Sequence, residues 1–154
     1  MSEVRRIWHN LTLAGAKLVR DHALRHALEL GVPVSVVVVD RTGVILLMET
    51  ADDAAPGSSE ASIMKAKGAS RYRIATHVTA EYVKTLPAQL AQHALSLPDV
   101  CAFQGGVPIR IEGEVLGGIG VSGSFQRLDP FPERVSDHAD TIRRLLFSDG
   151  STSF

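Results

Sequence analysis

Apolar residues recur at spacings of three and four near the start of the chain. Ala16, Val19, Ala23, Ala27 and Leu30 share one face, which predicts a helix from its cap Thr12 to about Leu30. Gly31 stops that helix and Pro33 prevents its resumption. The period then changes. Val34 to Val39 reads as an apolar strand, so it belongs at the centre of a sheet covered on both faces. Arg41-Thr42-Gly43 turns the chain into a second apolar strand, Val44 to Met48. Asp52 to Ser59 is a loop by composition, and Ser58 or Ser59 is placed to cap a second helix through about Tyr72. A third helical region follows Thr79, with Pro87 forcing a break or a fresh start.

Gly105 to Gly123 predicts a β-hairpin between glycine-rich ends. Val107, Ile109 and Ile111 alternate with more polar residues, Glu112-Gly113 makes the turn, and Val115 to Val121 returns. Gly117, Gly118 and Gly120 interrupt the second strand. Interior glycines weaken a strand, so they mark a bulge or the close approach of a backbone or ligand. Pro130 and Pro132 precede a last helix, with Val135, Ala139, Ile142 and Leu146 on one face, and the tail 148–154 reads as frayed. The order α–β–β–α–α–β–β–α with tight hairpins implies an antiparallel sheet with helices packed against it.

Composition narrows the field. At 154 residues the chain has the size of one domain, and 45% hydrophobic with 21% charged residues is ordinary for a globular protein. A net charge of −1 with no basic stripe argues against nucleic acid or an anionic membrane surface as partner. His9, Asn10, Thr12 and Lys17 break any apolar leader after Arg5-Arg6, and the apolar run Val36–Val39 is far too short to span a bilayer. With Cys101 the single cysteine, no internal disulfide forms, and a cytoplasmic location is the default expectation.

The segment GGVPIRIEGEVLGGIGVSG, residues 105–123, resembles the signature hairpin of the GlcG/HbpS family of haem-degrading or haem-binding domains, which includes the C-terminal domain of PduO-type proteins. Leu30 to Val36 resembles that family's helix-to-strand junction, Val39-Asp40-Arg41-Thr42-Gly43 its first turn, and Lys65-Ala66 its central motif. The resemblance runs from about Leu11 to Gly123. It implies a single α/β (α+β type) domain, a five-stranded antiparallel sheet with flanking helices in a profilin-like arrangement, with a core of about residues 11–147. It also implies assembly into a homo-oligomer, with the hairpin edge or the first helix in the interface, and a small-molecule ligand, haem or a small organic acid. The chain departs from the family after the VSG turn, where Phe125 to Pro132 brings two phenylalanines and two prolines in place of an acidic stretch.

The candidate chemistry follows from both readings. In an extended segment Arg71 and Arg73 would point the same way and, with Lys65, clamp a carboxylate or phosphate. Gly105-Gly106 can present backbone N–H groups to an anion, Gly118 allows close approach, and Phe125 borders the hairpin. If the protein is a small cofactor-independent enzyme acting on a carboxylated metabolite instead of a binder, His77, Glu114 or His138 would move the proton. His22 and His26 have a chelating i, i+4 spacing, but they lie off the apolar stripe and two histidines supply too few ligands, so no metal site is expected. Cys101 beside Val100 and Phe103 reads as buried packing.

Overall fold

A computed structural model describes residues 4–123. The elements are α1 (Leu13–Glu29), β1 (Val34–Asp40), β2 (Ile45–Thr50), α2 (Ser58–Tyr72), α3 (Thr76–Thr85), α4 (Ala88–Leu95), β3 (Gly106–Ile111) and β4 (Glu114–Gly123). The strands form one antiparallel sheet in the order β2-β1-β4-β3. The expectation of five strands is therefore corrected to four among the described residues. The chain between β2 and β3 is helical, and no fifth apolar or alternating segment exists there to extend the sheet.

Local chemistry accounts for the element ends. The Thr12 hydroxyl accepts the Gly15 N–H at 3.1 Å, capping α1. At the other end Gly31, with φ +64°, takes the left-handed conformation. Its N–H donates to Leu28 O, and the Val32 N–H donates to Ala27 O, the paired bonds of a glycine-terminated helix. The β3–β4 turn has φ +50° at Glu112 and +80° at Gly113, both positive as a two-residue hairpin requires. Two expected starts differ. Ser58 does not cap α2, because its hydroxyl lies 2.6 Å from that of Ser35 in the sheet, and Gly57 takes the cap position. Helix α3 begins at Thr76 rather than after Thr79, and Pro87 separates it from α4.

β1 is buried along its whole length, as its apolar run requires. Val34, Val36 and Val38 pack with Ala16, Ala23 and Ala27 of α1, whereas Val37 and Val39 face Ala66 of α2. The two helices thus cover opposite faces of the sheet. Gly118 and Gly120, paired with Val39 and Val37, lie on the α2 face. A Cβ on Gly118 would stand 2.4 Å from the Ala66 carbonyl oxygen, and one on Gly120 would stand 2.1 Å from that of Ser62. The interior glycines therefore serve a helix backbone laid directly on a strand. Small residues on the helix complete the contact: Ser62, Ala66, Ala69 and Ser70 are all buried.

Candidate functional site

The seat of interest lies where α2 crosses the Gly105 end of the hairpin. Lys65 sits on the sheet-facing side of α2 among small residues, and only 8% of it is exposed. Its Nζ donates to Val121 O at 3.2 Å, and a Cβ on Gly105 would stand 3.3 Å from that nitrogen. Among the described residues no carboxylate lies within ion-pair distance of it. Burial pushes the amine below the usual lysine range, and the nearby Cys101 thiol only partly opposes this. The Cys101 thiol, itself buried as expected, is pushed up by the same desolvation.

The Gly105-Gly106 pair does not leave both of its N–H groups open to an anion. The Gly106 N–H is taken by the Thr76 hydroxyl at 2.9 Å, and Gly105 O accepts from Val121 N. A Cβ on Gly106 would meet Lys65 O at 2.4 Å, so this glycine too yields to the helix. Thr76 is 1% exposed and docks the start of α3 onto β3. His77, the next residue, is half-buried in the first turn of α3.

The expected arginine clamp does not form as drawn, because the chain stays helical through Tyr72. Arg71 pairs with Asp99 at 2.9 Å, which spends its charge on the loop before β3. Arg73 terminates the helix in the left-handed region, φ +59°. Its carbonyl accepts from Arg110 of β3, and neither guanidinium has a carboxylate partner among the described residues. Arg110 escaped the sequence reading, since its alternation with Ile109 and Ile111 marks it only as an outward strand residue.

Glu114 belongs to another structure. It receives Arg41 and lies 2.8 Å from His9 Nδ1, while Arg41 stacks on Trp8 at 4.5 Å. Hydrogen bonds from His9 and Arg41 hold its carboxyl below the usual range. Next to it the Asp40 carboxylate accepts from Asn10, from the Thr42 N–H and hydroxyl, and from the Val44 N–H, at 2.8–3.0 Å. Burial alone would raise the Asp40 pKa, but these bonds outweigh it and hold it low. This clasp fastens the segment before α1 to both hairpin turns. It stands seven residues of β4 from Val121, about 24 Å along the strand. Phe125 and His138 lie outside the described residues.

Helix α1 carries His22 and His26 half-buried, and no group of three metal-ligating side chains occurs among the described residues. No described helix is long and apolar enough to cross a membrane.

Comparison with known proteins matches residues 11–130 to a family described as haem degrading protein HbpS-like. An uncharacterized 15.0 kDa protein from the dhaT-dhaS intergenic region of Citrobacter freundii is 36% identical over 119 residues, 77% of this chain and 84% of that relative. A double mutant of Streptomyces reticuli HbpS superposes with a TM-score of 0.74 at 27% identity, covering 98% of this chain and 94% of that one. Klebsiella pneumoniae protein ORFY gives 0.73 at 26%, covering 94% and 96%. PduOC, solved as a haem complex, gives 0.71 at 26%, covering 94% and 98%.

Proposed function

We propose a small-molecule-binding function for this chain, which belongs to the HbpS-like family. The ligand we assign is a tetrapyrrole such as haem, with a small organic acid as the narrower occupant of the same place. The haem complex of PduOC supports the first assignment. The observation that carries the reading is the Lys65 nitrogen, buried beside the glycine-rich hairpin with one carbonyl partner and no carboxylate among the described residues.

The residues present fit a tetrapyrrole, an apolar disc with carboxylates at one edge. Arg73 and Arg110 offer two guanidiniums with no acid of their own among the described residues. Val78 and Tyr82, one turn apart on α3, are 44% and 62% exposed and offer an apolar surface on that helix. His77 offers an imidazole in the same turn. Lys65 and Arg73 are eight residues apart, about 12 Å along the helix, a span that the length of a tetrapyrrole matches. Haem, when bound, would supply an iron centre; this chain would hold its carboxylates and cover part of its face.

Titration of the full chain with hemin, read by a Soret band, tests the assignment. Arg73→Ala with Arg110→Ala should weaken binding by about 1.5–3 kcal/mol, the range for hydrogen bonds to charged groups, or about 10- to 150-fold. No Soret band at saturating hemin overturns the tetrapyrrole assignment. Unchanged affinity in the double variant moves the site away from α2 and β3.

A further inference from the structure

Of the four lysines in the chain, Lys17 and Lys84 are exposed, Lys67 is half-exposed, and Lys65 is buried. A buried ammonium normally sits against a carboxylate, because desolvation of an unpaired charge is costly. Here the described surroundings supply one backbone carbonyl, a thiol and glycine backbone. That environment favours the neutral amine, whose lone pair is a nucleophile. A Cβ on Gly105, in the loop before β3, would stand 3.3 Å from Nζ, so the glycine leaves that side of the nitrogen uncovered by a side chain.

We infer that Lys65 is an imine-forming residue, whose Nζ condenses with the carbonyl carbon of a small aldehyde or 2-oxo acid. The lone pair forms the new C–N bond, the amine gives up both its protons, and the carbonyl oxygen leaves with them as one water molecule. No oxidant or reductant takes part, and water reverses the step. A Cβ on Gly105 would already stand 3.3 Å from Nζ, and room this tight restricts the partner to a small carbonyl compound. The inference shares Lys65 with the binding reading, rests on that nitrogen being reachable by a ligand, and needs no tetrapyrrole.

Glyoxylate with borohydride provides the test on the full chain. Borohydride delivers hydride to the imine carbon and leaves a stable carboxymethyl group on the lysine, which peptide mass mapping locates. The expected result is labelling of Lys65 ahead of Lys17, Lys67 and Lys84, saturating with glyoxylate and absent in Lys65→Met and Lys65→Arg, with melting confirming that both variants fold. The parent map decides the matter alone if a variant fails to fold. Labelling that follows exposure, with Lys17 and Lys84 first and Lys65 unmodified, overturns the inference. Hemin titration of the same preparation keeps the two readings apart. Haem binding without Lys65 labelling sinks only the imine, and labelling without a Soret band sinks only the tetrapyrrole.

Discussion

Gly120→Ala is the sharpest test of how this domain is built. A Cβ there would stand 2.1 Å from Ser62 O, 2.6 Å from Ala66 N and 3.0 Å from Lys65 Cβ. The first two are backbone atoms of α2 and cannot rotate away. Reaching ordinary contact at 3.4 Å needs a shift of 3.4 − 2.1 = 1.3 Å between helix and strand. Such a shift breaks the bonds that join α2 to the sheet: Ser62 Oγ to Ser35 O at 2.9 Å, Ser70 Oγ to Asp40 O at 2.9 Å, and the 2.6 Å pair of Ser35 and Ser58. At about 1 kcal/mol each these total about 3 kcal/mol, and residual overpacking adds about 1–2 kcal/mol. The lower entropy of the unfolded alanine chain returns about 0.4–1 kcal/mol. The net loss is about 3–4.6 kcal/mol, or about 6–18 °C in Tm for a domain of this size. Thermal and urea melts of the variant measure it. Gly57→Ala is the control, because nothing lies within 4 Å of its Cβ and its φ is −79°, so it should change stability by less than about 1 kcal/mol. A Gly120→Ala protein that melts within about 2 °C of the parent would refute the backbone-contact argument.

Lys65 should make stability depend on alkaline pH. Its folded pKa is depressed by burial, so between that value and the unfolded value of about 10.4 the unfolded chain binds more protons. Stability therefore rises with pH across this window, and Lys65→Met should remove the rise. Cys101, with a raised pKa, acts in the opposite sense in both proteins, so parallel curves for the two would count against the Lys65 assignment. Asp40→Ala should cost about 2–4 kcal/mol, since four donors lose a charged acceptor, and a denaturant midpoint close to the parent's would show the clasp to be dispensable. With Asp40 intact, its depressed pKa means that this contribution is present above about pH 3.9 and is lost as the pH falls through the folded value. We also expect a homo-oligomer, because α4 buries no residue and leaves Leu90 56% and Leu95 46% exposed. Sedimentation as a monomer near 16.5 kDa at micromolar concentration would reject that expectation.

Much of the fold is legible from the chain because its signals are local. The helix stop at Gly31, the buried run of β1, the Glu112-Gly113 turn and the burial of Cys101 each depend on a few neighbouring residues and their backbone preferences. The glycines of β4 announced a close approach, but sequence could not say whether a ligand or a backbone made it. Only tertiary packing decided that α2 lies on them, and with it that Ser58 bonds to the sheet instead of capping its helix. The candidate site divides in the same way. Lys65, Arg73 and His77 were visible as residue types, yet the groups that Lys65 and Arg73 meet are remote in sequence. Arg110 reaches Arg73 across 37 positions, and Glu114 reaches Arg41 across 73. Spacing along a chain encodes which face of an element a side chain occupies. Which distant group meets it is set by how the elements stack, and here glycine and serine at the α2–sheet contact set that distance.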